Sequence, residues 1–295
     1  MLVTKPKIVA LVGPTGSGKT EWAKKLAQKF GAKIISADSR QIYKEMDIGT
    51  GKDKSFKQDL IDIVRPTKKF SVWDFQRLAN GLINRYLNMK NLPILVGGTG
   101  LYLYAVLYGY VIPNLKEESE KLREKLAKID SRKLYDQLKK VDSRAAANID
   151  PRNKRRLIRA LEISLLNLRP SESLGKKKRP PYKALIIGIK TDRQTLYAKI
   201  DARIDRMIKN GWVEEARNLL EKYRADLPAF STIGYKEIID YLKGRITLKE
   251  AIKKIKANTH DYVRRQETWF RKNKDIKWVE KYEEAEKLIK KFLNS

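Results

Sequence analysis

Gly13-Pro-Thr-Gly-Ser-Gly-Lys-Thr20 decides the fold, because it stands between Lys7-Ile-Val-Ala-Leu-Val12, an apolar run of strand length, and the helical stretch Thr20 to Phe30. The pattern G-x-x-x-x-G-K-[ST] in a strand-to-helix setting is a phosphate-binding loop. Its glycines let successive backbone N–H groups turn inward as an anion nest, and the positive end of the helix dipole points at the same place. Lys19 would neutralise bridging phosphate oxygens, and the Thr20 hydroxyl would hold Mg²⁺. The cradle comprises Gly13, Pro14, Thr15, Gly16, Ser17, Gly18, Lys19 and Thr20. It specifies a polyphosphate without saying whose.

Working outward, the first half alternates apolar runs with amphipathic stretches, as a parallel α/β sheet requires. Lys33 to Ser36 is a second strand, followed by Ala37-Asp38-Ser39. Val72 to Lys90 reads as a helix and Leu92 to Val96 as a third strand, ending in Gly97-Gly-Thr-Gly100. From Asn114 the character changes to charged helices at Glu117 to Lys128, Ser131 to Val141 and Asn153 to Leu168. The strand pattern resumes at Ala184 to Ile189, so the middle section reads as an insertion. A long helix capped by Thr191 or Asp192 runs to Asn210, and the remainder reads as helical apart from Phe230 to Tyr235. The fold class expected is therefore α/β, a P-loop NTPase-like parallel sheet with flanking helices and an inserted helical domain. The core would comprise residues 1–113 and 182–295, and the insertion residues 114–181.

The 295-residue chain carries 65 Lys and Arg against 35 Asp and Glu, a net charge of +30. Such an excess attracts polyanions through counterion release, although a lysine-rich proteome would produce it too. The longest apolar run, Leu101 to Ile112, is too short to span a membrane, and no export signal precedes the phosphate loop. The absence of cysteine excludes disulfides and thiolate-bound zinc and fits a cytoplasmic protein. With one histidine, His260, a general base is expected to be a carboxylate.

Asp38 ends the second strand on the sheet edge that carries the phosphate loop, where open α/β sheets bind ligands. It can serve as base or magnesium ligand, or merely cap a turn. Gly97, Gly98 and Thr99 reach the same edge and would let a substrate approach the backbone. In the insertion, Arg152, Arg155, Arg156 and Arg159 share one helical face opposite Leu157, Leu161 and Leu165, a geometry suited to phosphate oxygens or to a solvated surface. Near the C-terminus, Lys253, Lys256, His260, Arg264 and Arg271 form a basic stripe, while Ile252, Ile255, Tyr262 and Trp269 form one expected to pack. His260 reads as a surface or hydrogen-bonding residue.

A more specific resemblance rests on an ordered series. The phosphate loop is followed by Ala37-Asp-Ser-Arg-Gln-Ile-Tyr43, Met46-Asp-Ile-Gly-Thr50, Leu95-Val-Gly-Gly-Thr99, Arg156-Leu-Ile-Arg-Ala-Leu-Glu162, Ile233-Gly-Tyr235 and Arg265-Gln-Glu-Thr-Trp-Phe-Arg271. This series, spanning Val9 to Arg271, resembles that of the tRNA dimethylallyltransferases. The resemblance implies transfer of a dimethylallyl group from dimethylallyl diphosphate to the N6 amine of the adenosine 3′ of a tRNA anticodon. It implies catalytic roles for Asp38 as base and for Lys19, Thr20 and Arg203, with Mg²⁺, in stabilising the departing diphosphate. By the same resemblance the tRNA-contacting residues are Asp38, Ser39, Arg40 and Gln41, then Thr99, then Arg155, Arg156, Leu157, Ile158 and Arg159. Further along they are Thr232, Ile233, Gly234, Tyr235, Lys236 and Glu237, then His260, Arg264 and Arg265. Donor and tRNA would enter one channel from opposite mouths, with the base flipped out of the anticodon loop.

Gly16 and Gly51 stand where the resembling family usually has alanine, an exchange expected to be harmless, and His260 stands where it usually has arginine. No zinc-finger extension of the eukaryotic kind is seen, which leads to the expectation of a bacterial-type or organellar form. The partners implied are the anticodon stem-loop and the allylic diphosphate, with no membrane and a monomeric enzyme. The alternatives are a P-loop small-molecule kinase and a non-catalytic RNA-binding ATPase, which leave the later motifs unexplained.

Overall fold

The computed structural model describes residues 5–113, 118–164, 170, 180 and 182–295. Six strands, β1 (Lys7–Val12), β2 (Lys33–Ser36), β3 (Gln58–Asp59), β4 (Pro93–Gly97), β5 (Lys183–Ile189) and β6 (Ile276–Val279), pair in parallel in the order β3-β2-β4-β1-β5-β6. Nearly every residue of β1 and β4 is buried, as a sheet covered on both faces requires. Val9, Leu11, Ile34, Ile94, Val96 and Ile187 pack with α1 (Lys19–Phe30) and with the last helix, Tyr282–Asn294, through Ala23, Leu26, Ala285 and Ile289. The alternate residues Ile8, Ala10, Ile35 and Leu95 point the other way. On β2 and β4 packs α2 (Val72–Asn88), opened by a capping box between Ser71 and Asp74.

Helix α3 (Gly100–Leu107) is formed by the aromatic run, and Tyr102 to Leu107 are buried, as expected of a core helix. The chain divides into two compact units, residues 1–103 with 181–295, and residues 104–180, so the boundary falls inside α3. In the second unit, α4 (Glu118–Ala127), α5 (Ser131–Val141), α6 (Ser143–Ala147) and α7 (Lys154–Ser164) enclose Leu126, Leu134, Leu138, Ala145, Leu157 and Leu161. Leu165 to Leu168, the expected end of α7, lies outside the described residues, as does Glu117.

The first unit continues with α8 (Arg193–Lys209), capped by Asp192 through Thr195 N–H at 2.9 Å, α9 (Trp212–Lys222), α10 (Tyr235–Leu242), α11 (Leu248–Arg271) and α12, the last helix named above. These helices α8 to α11 hold a second core, in which Ile42, Tyr43 and Met46 pack against Leu196, Ile200, Trp212, Tyr235, Ile255 and Val263. Two strands depart from the expected pattern. β3 is two residues long, and β6 interrupts a region expected to be wholly helical. Only the end residues of Ile276-Lys-Trp-Val279 are buried, so no two-residue alternation marks this edge strand.

Candidate active site

Because β4 lies between β1 and β2, the Gly98 loop stands between the phosphate loop after β1 and Asp38 after β2. Close approach is possible because Gly97 has no side chain, since a methyl there would overlap the Ala37 carbonyl. Thr99 N–H donates to that same carbonyl at 3.3 Å, and Thr99 Oγ1 accepts the Ser39 N–H at 3.1 Å. Asp38 closes the turn that follows, its Oδ1 accepting the N–H groups of Arg40 at 2.8 Å and Gln41 at 3.4 Å.

The phosphate loop turns through Gly16 and Gly18, whose φ values of 83° and 86° favour glycine. Lys19 Nζ folds back onto the Pro14 carbonyl at 2.6 Å. Burial pushes the Lys19 ammonium down to about 7, opposed by the Asp38 carboxylate and reinforced by Arg203. Arg203, on α8, is likewise lowered by burial, with Asp38 opposing and Arg206 adding. Two cations and one carboxylate therefore share a desolvated corner, ready for a polyanion. A bound polyphosphate would hold Lys19 charged and raise its affinity for its proton. Inorganic pyrophosphate should thus bind with proton uptake above about pH 7, and its affinity should fall as pH rises from there, relative to Lys19→Ala. Calorimetry in buffers of different ionisation enthalpy reads this directly, and equal proton uptake by both proteins would refute it.

Two cavities meet at this corner. One, of about 870 Å³, is lined by Thr15, Lys19, Thr20, Asp38, Thr50 and Arg203, among others. The second, of about 410 Å³, shares Thr15, Asp38, Thr50 and Arg203 and adds Ser39, Arg40, Thr232, Ile233, Tyr262 and Arg265. A loop that lines both cavities is clamped by Glu215. Glu215 accepts the N–H groups of Asp47 at 2.8 Å, Ile48 at 2.7 Å and Gly49 at 3.0 Å, and the Tyr235 hydroxyl donates to it at 2.5 Å. Lys52, its side chain fully buried, ties the same loop to Asp47 and Asp62.

Several expected residues also make contacts within the fold. Gln41 braces this loop by donating to the Thr50 and Gly51 carbonyls at 3.3 and 3.4 Å, and it lines the first cavity. Tyr235 and Glu237 are buried, Tyr235 on Glu215 and Glu237 on Gly234 N–H and Asn258, which leaves Lys236 as the exposed member of that stretch. Gly234, at φ 97°, makes room for the Trp212 ring. Leu157 and Ile158 belong to the core of the second unit, and Arg159 is turned to Glu162 and the Pro113 carbonyl, so Arg155 and Arg156 are the exposed arginines of α7. His260 stacks on Tyr197 at 4.0 Å and bonds Asp201 at 2.9 Å, and Arg264 pairs with Asp261. Tyr262, expected to pack, instead lines the second cavity, where burial raises its hydroxyl to about 12.

The space beside the glycines at 16 and 51 is filled by neighbouring side chains. A methyl on Gly16 would press on Ile200 and Leu196, and one on Gly51, at φ 60°, would overlap the Arg203 guanidinium. Gly51→Ala should therefore unseat Arg203 and lower turnover by about tenfold while costing the fold only about 1 kcal/mol. Steady-state rates beside a thermal melt check this, and unchanged turnover would mean that Arg203 does not depend on the open space at 51.

The family model described as IPP transferase matches residues 41–273, and that described as isopentenyl transferase matches residues 6–66. The chain belongs to the IPP transferase family. Within that family it is 43% identical to the curated tRNA dimethylallyltransferase of Geobacillus kaustophilus, over 93% of this chain and 90% of that one. A Thermoanaerobacter tRNA dimethylallyltransferase is also 43% identical, over 97% of both chains. Among solved structures, the full-length tRNA isopentenylpyrophosphate transferase of Bacillus halodurans superposes with a TM-score of 0.73 at 38% identity, covering 98% of this chain and 96% of that one. A eukaryotic dimethylallyltransferase acting on tRNA superposes at 0.81 with 25% identity, covering 93% and 74%. This IPP transferase is thus an enzyme of tRNA modification, and no described helix is long and apolar enough to cross a membrane.

Proposed function

We propose that this chain transfers the dimethylallyl group of dimethylallyl diphosphate to the N6 amine of the adenosine 3′ of a tRNA anticodon. The supporting observation is the meeting of the two cavities at Asp38 and Arg203. The donor's diphosphate lies in the phosphate loop within the larger cavity. The adenine, flipped from the anticodon loop, enters the smaller one between Thr232, Ile233, Tyr262 and Arg265. The N6 lone pair attacks the allylic carbon, the carbon–oxygen bond breaks with its electrons staying on the diphosphate, and the amine proton passes to Asp38. Lys19, Arg203 and the inward N–H groups stabilise the charge gathering on the leaving diphosphate.

Mg²⁺ fits this donor set. Among the described residues no cluster of three or more His, Cys, Asp or Glu could hold a metal alone, and Thr20 stands on the first turn of α1 in the larger cavity. A hard ion that takes one protein hydroxyl, phosphate oxygens and water suits it. When bound, it adds positive charge against the phosphate oxygens. In this proposal the enzyme acts as a monomer in the cytoplasm.

Incubating the protein with allyl-labelled dimethylallyl diphosphate and undermodified tRNA tests the reading, and label in tRNA is the expected result. ATP-dependent phosphorylation of a metabolite, with no label in tRNA, would favour a kinase instead. The tRNA surface is tested separately. Arg155→Ala with Arg156→Ala should weaken tRNA binding and flatten its salt dependence by roughly one to two units. An unmoved slope would mean that these arginines do not touch phosphate. Arg159→Ala should instead destabilise the helical unit, because Glu162, fully buried and held by Arg123 at 2.6 and 2.9 Å, loses a neighbouring cation.

A further inference from the structure

We propose that Gln266 is a positioning residue that locks the phosphate loop, the Gly98 loop and α11 into one register and so sets how the two substrates meet, a role that rests on the transferase reading above. Its side chain is buried, with Oε1 accepting the Thr15 N–H at 2.9 Å and Nε2 donating to the Gly98 carbonyl at 2.9 Å. A primary amide is the side chain that offers one acceptor and one donor on a single planar fork, which this N–H and C=O pair requires. By engaging the Thr15 N–H, Gln266 withdraws it from the anion nest and fixes where the nest begins.

Each segment it joins carries part of the site. Thr15 lines both cavities. Gly98 precedes Thr99, whose hydroxyl oxygen holds Ser39 beside Asp38. On α11, Tyr262, one turn before Gln266 on the same helical face, lines the second cavity, as does the adjoining Arg265. The contact is also matched sterically. A methyl on Gly98 would overlap the Gln266 amide, and one on Gly100 would overlap the Trp269 ring, so two glycines admit this face of α11 against the loop. In sequence Gln266 stands inside Arg265-Gln-Glu-Thr-Trp-Phe-Arg271, where no periodicity marks it out.

Gln266→Glu separates positioning from mere support. Protonated, a glutamic acid reproduces both hydrogen bonds. Ionised, it turns a carboxylate on the Gly98 carbonyl and sets negative charge beside the diphosphate. Burial favours the neutral acid, so the group should titrate above the usual carboxylate range. The test measures kcat, KM for donor and tRNA, inorganic pyrophosphate affinity and thermal melting for wild type, Gln266→Leu, Gln266→Glu and Gly98→Ala across about pH 6 to about pH 8.5. Gln266→Leu and Gly98→Ala should lower kcat by about tenfold or more, weaken pyrophosphate binding, and leave tRNA KM within a few-fold. The activity of Gln266→Glu relative to wild type should rise several-fold as pH falls across that range. Wild-type kcat in Gln266→Leu, or losses that track the melt with a pH-independent Gln266→Glu ratio, would overturn the proposal. If wild type modifies no tRNA but Gln266→Leu still loses pyrophosphate affinity, the lock stands and the transferase reading fails.

Discussion

Asp38→Asn is expected to lower turnover by roughly 10²- to 10⁴-fold while leaving tRNA affinity within a few-fold, the loss typical of removing a general base. The substitution is clean because the Asp38 oxygen that accepts the Arg40 and Gln41 N–H groups is retained by an asparagine carbonyl. The turn, the Thr99–Ser39 contact and both cavities should therefore persist, and only the ability to take a proton is lost. Pre-steady-state transfer rates beside filter binding of tRNA separate the two effects. Turnover at the wild-type level would remove Asp38 from the proton path.

Arg203→Ala is expected to reduce turnover by roughly 10²- to 10³-fold, the range found on removing one preorganised donor from a developing negative charge. Arg203 reaches the corner from α8, lines both cavities, and donates to the Gly51 carbonyl at 3.4 Å. That contact is long, and the guanidinium occupies the place a side chain at position 51 would fill, from which it can close on an arriving diphosphate. The loss should appear more in kcat than in donor KM, because charge on the diphosphate grows as the allylic bond breaks. A rise in KM alone would assign Arg203 to ground-state binding.

The sheet was legible because its strands are uninterrupted apolar runs that end in chemically marked loops, namely the phosphate loop, Ala37-Asp38 and Gly97-Gly98. β3 and β6 were not, since a two-residue strand and one buried only at its ends carry no periodicity. Exposed cations and buried packing residues look alike inside a motif. Arg155 and Ile158 stand three positions apart in one stretch, yet only the three-dimensional packing shows that Ile158 belongs to the core. The same holds for Gly51 and Gln266. Their importance lies in what they approach, Arg203 in one case and Thr15 with Gly98 in the other, and neither partner is near in sequence.

The central claim is that the polyphosphate in the loop is a leaving group and that the adenosine amine meets the allylic carbon at Asp38. A single turnover with donor carrying one isotope in its allyl group and another in its diphosphate tests this most directly. Allyl label should appear in the adenosine beside the tRNA anticodon, and phosphate label should appear wholly in free pyrophosphate. Phosphate label joined to any acceptor, or release of pyrophosphate without allyl label in tRNA, would contradict it.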